Sequence, residues 1–451
     1  MRQNSVMSIW FLLLIICFTF QVNSLLAQEN QKKESKNSVP SELTPVWKWA
    51  NGFSADQAKQ FTETYNAKSF VIGDDIGTYA YLNLCEVLPV SKVFRKGPVS
   101  ELELDMDDTI GKVKVDGPLG NMTLQEVLSD ERSRIQGIIV MKKGKIVYEK
   151  YPGMPQNTNH TWMSSTKVVT GLIVHMLEKD GLLSLDDLVT KYIPEYKGSD
   201  WEGIKLVDIL HHQSGMDLVE NAENIADPKS AVARAYAFAF SPKGATPDSS
   251  IFEIMREVKR YKQPGTQFDY STFNTHILGV IIEKATNKKF VDVFTERIWA
   301  KAGMEGDAEM ANSPIGESLN GGIFASRLRD KARFALLFTP SWSKVSKTKI
   351  VDDDYFKKVY GSNNSAAFFS EASDMGSRMV KDFKEAPSHA SYQWDAVFEG
   401  GDLYKSGKNG QCIYVSPKKD MAVVWFSNTF NNSPWLPIYA RAIVKKFYRN
   451  E

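Results

Sequence analysis

Ser164-Ser165-Thr166-Lys167-Val168-Val169-Thr170-Gly171-Leu172-Ile173-Val174-His175-Met176-Leu177 is the stretch that decides the fold. From Lys167 the run is apolar and reads as a helix, and a Ser and a Lys three positions apart stand on one helical face. A serine hydroxyl is a poor nucleophile until a base takes its proton, and an amine held in a dry pocket can be that base. The helix N-terminus adds unpaired N–H groups and a positive dipole end, which favour an oxyanion. Spacing alone does not single out Ser164, because Ser-x-x-Lys occurs four times, at Ser164, Ser341, Ser346 and Ser416. Ser341 and Ser346 stand in a polar, Lys-rich stretch, and Ser416 lies in the turn Ser416-Pro417-Lys418-Lys419. Only Ser164 opens an apolar helix.

Two further segments support it. In Pro264-Gly265-Thr266-Gln267-Phe268-Asp269-Tyr270-Ser271-Thr272-Phe273-Asn274, Pro-Gly marks a turn. Tyr270 therefore falls on a loop just ahead of the helical run Thr275–Glu283, a place that presents a side chain to a cleft. In Gly407-Lys408-Asn409-Gly410-Gln411-Cys412-Ile413-Tyr414-Val415, a cation and a close-approach glycine lead into a β-strand. Simpler readings exist for each residue: Ser164 as a helix cap, Lys167 and Lys408 as solvated lysines, Tyr270 as a packing residue. Asn274 is open between a substrate contact and a helix cap. The pair His211-His212 has no accompanying metal-ligand spacing, so no metal is expected, and no dinucleotide fingerprint or phosphate loop points to a cofactor.

Ser164-x-x-Lys167, Tyr270 and Lys408-x-Gly410 together resemble the three motifs of the serine β-lactamase and penicillin-binding superfamily, in particular its class C β-lactamase-related hydrolases. The hairpin Gln136–Met141 and Lys145–Tyr151, the stretch Leu206–Gly215 and the stretch Gly321–Asp330 extend the resemblance over roughly residues 131–451. It implies an α+β fold, with a central antiparallel sheet flanked by helices and an all-helical region. It also implies catalytic roles for Ser164, Lys167 and Tyr270, with either Lys167 or Tyr270 as the base. Lys167 and Lys408 would stabilise a Tyr270 phenolate, and Lys408 would attract a substrate carboxylate. Gly410 and Asn274 would contact substrate, and the N–H groups of Ser164 and Gln411 would form the oxyanion hole. One departure matters: Thr272 stands where β-lactamases carry Asn. With Asn274 four residues after Tyr270, the segment looks more like the 6-aminohexanoate-dimer hydrolase branch. The expected activity is hydrolysis of a small amide or ester through an acyl-enzyme on Ser164. The alternatives are a D-alanyl peptidase or β-lactamase, and a non-catalytic wall-binding or sensor protein.

The 451 residues carry a net charge of +1 with no long single-sign block, which argues against a nucleic-acid partner. Residues 1–27 have the layout of a secretory signal, with Arg2, the apolar run Trp10–Phe20 and a cut after Ala27, so a periplasmic or secreted protein without a stable membrane span is expected. Residues 28–45 read as a polar linker, 46–130 as a β-rich N-terminal extension opened by a capped helix at Ser54, and 131–451 as the hydrolase domain. Cys85 and Cys412 either pair or stand as two small buried residues.

Overall fold

The computed structural model describes residues 43–245, 249–362, 364–369 and 374–446. The expected signal at 1–27 and positions 28–42 of the expected linker lie outside the described residues. Helices α1 (Ala55–Thr64), α2 (Ala67–Ile72) and α3 (Asp75–Leu82) come first, then β1 (Val90–Val93), the ribbon β2 (Lys114–Gly117) and β3 (Gly120–Thr123), and α4 (Leu124–Ser129). The hairpin β4 (Ile135–Lys142) and β5 (Lys145–Lys150) follows, then β6 (His160–Thr161) and α5 (Lys167–Lys179). After a largely helical middle come α6 (Thr272–Thr286), β7 (Ala308–Ala311), β8 (Phe324–Ser326), α7 (Leu328–Leu336) and α8 (Asp374–Phe383). Strands β9 (His389–Ser391), β10 (Trp394–Val397), β11 (Leu403–Gly407), β12 (Gln411–Ser416) and β13 (Met421–Ser427) precede α9 (Pro437–Lys446).

Seven strands form the main sheet in the order β5-β4-β13-β12-β11-β10-β9, antiparallel throughout. Its first hairpin closes at Lys143 (φ 51°) and Gly144 (φ 77°), two consecutive left-handed residues of the kind a tight two-residue turn needs. Alternation along β4 divides the core. Ile139 and Met141 belong to the core that also holds Val168 and Leu172 of α5, while Ile138 and Val140 belong to a second core that holds Tyr439 and Ile443 of α9. Helices thus cover both faces, and seven of the eight β4 residues are buried. Among the described residues no helix is long and apolar enough to cross a membrane.

The 46–130 stretch departs from expectation. It is chiefly helical, and the described residues from Thr44 onward fall in one compact unit with no boundary at 130. The capping box at Ser54 and Gln57 forms as read. Phe70-Val71-Ile72 and Tyr79–Leu82, however, are helical rather than extended. Local caps outweigh their β-propensity: Asn66 Oδ1 accepts the Ser69 N–H (2.9 Å), Asp74 Oδ1 accepts the Gly77 N–H (2.8 Å), and Gly73 ends α2 at φ 79°. The stretch is also sewn into the main fold. β1 pairs with β7, and buried Arg134 donates to Thr44 O (2.9 Å), Thr78 Oγ1 (2.8 Å) and Asn428 O (3.0 Å). Phe70 is fully buried, 4.9 Å from the Tyr81 ring and 5.1 Å from that of Phe240. Cys85 and Cys412 are both free thiols, the first exposed and the second buried in β12.

Because Phe70 belongs to the same core as α5, Phe70→Ala is expected to lower unfolding stability by about 3–5 kcal/mol in a denaturant titration. A loss below about 1 kcal/mol would mean that the segment is peripheral to the fold.

Candidate active site

Ser164 sits on a 3₁₀ turn, Met163–Thr166, that runs directly into α5. The turn is set by its neighbours. Trp162 is buried, its N–H donating to Phe324 O (2.6 Å) and its Nε1 to Ser326 Oγ (2.8 Å). Met163 takes a left-handed φ of 48°, a conformation that costs a side-chain-bearing residue about 1–2 kcal/mol. The end of β11 presses on the same turn, since a Cβ on Gly407 would lie 2.7 Å from Trp162 O.

Lys167 opens α5 and is fully buried. Its Nζ reaches Ser164 Oγ (3.1 Å), Thr272 Oγ1 (3.0 Å) and Gly321 O. Gly321 is needed there, because a Cβ would meet Thr272 Cγ2 at 2.7 Å. Burial pulls the Lys167 amine down from the ordinary lysine value to about 7; nearby Lys405 pulls the same way, while Glu220 and Asp395 oppose it.

Tyr270 stands ahead of α6, its ring 4.9 Å from that of His212. Lys167 Nζ lies 5.0 Å from the Tyr270 ring centre and Lys405 Nζ 4.6 Å, with Lys405 Nζ also donating to the phenol oxygen (3.3 Å). The second cation beside Tyr270 is thus Lys405 and not Lys408. Nor does the phenolate expectation hold: burial, then Asp395 and Glu220, push the phenol well above its ordinary range, with the Ser164 hydroxyl opposing. Lys405 is itself fully buried and ion-paired with Asp395, whose other oxygen accepts the Ser406 N–H (2.9 Å).

Lys408 lies in the turn after β11 and lines the cleft that holds Ser164 and Tyr270. Gly410 and Gln411 do not. Gly410 O accepts Trp425 Nε1 (2.6 Å), and Gln411 pairs with Gly407 in the β11–β12 ladder while its Oε1 accepts the Ser427 N–H (3.1 Å). Asn274 is buried in the first turn of α6 and neither caps it nor lines the cleft. Ser271 is the cap, accepting the Phe273 N–H (3.2 Å), and the described residues give Asn274 Oδ1 no partner. His211 and His212 join no metal-capable cluster among the described residues.

Sequence reasoning missed Lys405, Asp395, Glu220 and Tyr236. Lys405-Ser406-Gly407 has the same Lys-x-Gly spacing as Lys408-Asn409-Gly410, and it ends a strand where the later copy forms a turn with Asn409 at φ 58°. Asp395 was signalled as a lone acid inside the apolar run Trp394–Val397. Glu220 accepts the Thr272 N–H, and Tyr236 Oη donates to Thr272 Oγ1 (3.1 Å); no local pattern marks either. The cleft itself measures about 580 Å³, with Lys68, Glu220, Arg378 and Lys408 as its charged lining groups and a broad apolar remainder.

The beta-lactamase family profile matches residues 124–444, more than half of the chain. The chain belongs to the beta-lactamase family. Family and neighbours are serine hydrolases. The 6-aminohexanoate-dimer hydrolase of Paenarthrobacter ureafaciens is 24% identical over 356 residues, covering 78% of this chain and 85% of the relative. A Bacillus anthracis structure assigned as a 6-aminohexanoate-dimer hydrolase superposes with a TM-score of 0.70 at 21% identity, covering 86% of this chain and 96% of that one. The hydrolase EstCE1, with promiscuous acyltransferase activity, superposes with a TM-score of 0.52 at 17% identity, covering 71% of this chain and 97% of its own. These likenesses place the fold as β-lactamase/transpeptidase-like.

Removing one partner of a buried ion pair strands the other. Asp395→Asn is therefore expected to cost about 3–5 kcal/mol in thermal or denaturant unfolding, part of which Lys405→Met in the same chain restores. An unchanged melting point for Asp395→Asn would show that the pair carries no such weight.

Proposed function

We propose that the protein hydrolyses a small linear amide or ester through an acyl-enzyme on Ser164. The observation that carries this reading is Lys167, whose fully buried amine lies 3.1 Å from Ser164 Oγ and is poised at about 7. As a free amine, Lys167 takes the Ser164 proton and Oγ attacks the substrate carbonyl. Tyr270, held as a neutral phenol, relays a proton to the leaving group, and water then releases the acyl group from Ser164. The Ser164 N–H and the backbone at Lys408, both at the cleft, are the donors we assign to the oxyanion in place of Gln411. Lys408, Arg378 and Lys68 are cations that line the cleft, available to a substrate carboxylate. The named 6-aminohexanoate-dimer hydrolase relatives support a linear amide, and EstCE1 supports acyl transfer more broadly. The reading of residues 1–27 as a secretory signal supports a periplasmic or secreted site of action.

Below about pH 7 protonation removes the base, so kcat/KM for p-nitrophenyl butyrate is expected to fall about tenfold per pH unit and to level off above it. Ser164→Ala is expected to abolish both ester turnover and fluorophosphonate labelling by intact mass. Labelling that survives in Ser164→Ala would place the nucleophile elsewhere, and a flat pH profile would remove Lys167 as the base.

Thr272 separates this reading from a β-lactamase. Its hydroxyl is occupied by Lys167 and Tyr236, and it offers no carboxamide to a lactam side chain. A chromogenic cephalosporin is expected to turn over more slowly than p-nitrophenyl butyrate in side-by-side assays. The opposite order would assign the protein to β-lactam or peptidoglycan chemistry.

A further inference from the structure

We propose that α2, in the stretch that precedes the matched family region, is the wall of the catalytic cleft that selects a linear apolar acyl chain; this rests on the reading that Ser164 is acylated. Ala67, Val71 and Ile72 of α2 line the same cleft as Ser164, together with Phe240, Ile251 and Leu319. The matched family region is residues 124–444, so this wall is supplied from outside it, by the segment on its N-terminal side.

The wall is fixed in place rather than loosely apposed. Phe70 anchors the helix from behind, fully buried between Tyr81 and Phe240. At its other end Gly73 packs so tightly that a Cβ would lie 2.7 Å from Thr429 O and 3.1 Å from Asn409 Nδ2. Asn409 belongs to the turn that carries Lys408, and its Nδ2 donates to Tyr81 Oη (3.0 Å). The helix is thereby tied to the polar side of the site. Val71 and Ile72 nevertheless remain only half-buried, because their outer faces meet the cleft. Apolar side chains held rigidly at an unfilled cleft gain from any methylene laid against them, at about fourfold in binding per methylene buried. Lys68, on the same helix, is exposed at the cleft and brings the wall back to water.

The test is kcat/KM for p-nitrophenyl acetate, butyrate and hexanoate, compared between wild type, Val71→Thr, Ile72→Thr and Ile72→Trp. Wild type is expected to prefer hexanoate to acetate by at least tenfold. Val71→Thr, which keeps the side-chain shape, and Ile72→Thr, which is one carbon shorter, are each expected to cut that ratio by about fourfold or more, consistent with the loss of about one buried methylene equivalent. Ile72→Trp, which fills the cleft, is expected to depress hexanoate most, and thermal unfolding at the wild-type midpoint confirms that the variants are folded. A wild-type ratio at or below one, or a ratio unmoved by all three variants, would overturn the assignment. So would a chain-length preference that appears only when the chain is carried by the leaving alcohol, as in alkyl acetates. If wild type hydrolyses acetate through Ser164 but the ratio is flat, this inference alone fails. Turnover that persists in Ser164→Ala would instead remove the acyl-enzyme reading beneath it.

Discussion

The site depends on a lysine amine taken wholly out of water. An isolated ammonium ion in a protein interior is costly, and the group responds by giving up its proton unless acceptors surround it. At Lys167 the two tendencies are close to balance. Three oxygens, from Ser164, Thr272 and Gly321, match the three hydrogens of an ammonium, while burial favours the free amine. The surrounding architecture keeps that geometry: Gly321 lets Thr272 come close, Trp162 fixes the turn before Ser164, and Gly407 lets β11 lie against it.

Two other buried lysines show that burial alone does not define the role. Lys405, also beside Tyr270, has a carboxylate partner in Asp395 and so acts as half of an ion pair. Lys331 lies over the rings of Trp162 (5.2 Å) and Phe426 (4.5 Å), with the Trp425 carbonyl as its hydrogen-bond acceptor at 3.4 Å, and burial draws it to about 7 as well. Lys331 faces aromatic rings and lines no part of the cleft, whereas Lys167 faces a hydroxyl at the cleft edge. What distinguishes the three is the neighbour at the end of each chain, a carboxylate, an aromatic face or a serine.

Much of this was legible in the sequence because it is local. The hairpin β4–β5 follows from β-favouring runs around Lys143-Gly144, and α5 follows from the apolar period after Ser164. Tyr270 ahead of α6 follows from Pro264-Gly265 and the apolar run beyond it. Sequence alone points to Lys408-x-Gly410 where the structure uses Lys405-x-Gly407, because two Lys-x-Gly triplets stand in tandem and only strand pairing separates them. Gly407 lies opposite Gln411, so the strand ends at the first triplet and the chain turns through the second. Residues 46–130 look β-rich partly through Phe70-Val71-Ile72 and Tyr79–Leu82, while the caps at Asn66, Asp74 and Gly73 make those runs the helices α2 and α3. Glu220 and Tyr236 reach Thr272 from far along the chain, and no spacing rule anticipates such contacts.

The strand order has a consequence for how the protein comes into being. β4 pairs on one side with its immediate neighbour β5 and on the other with β13, across roughly 280 residues of intervening chain. The lysine that flanks Tyr270 lies in β11, which joins the sheet through β12 and β13. Closing such a distant strand pair is entropically slow, and it has to wait until residues 421–427 have been synthesised. Ser164 and Lys167 are neighbours within a single turn, whereas the strand that brings Lys405 to their surroundings reaches the rest of the sheet only through β12 and β13. The residues of the reactive pair are therefore synthesised long before the strands that complete their enclosure.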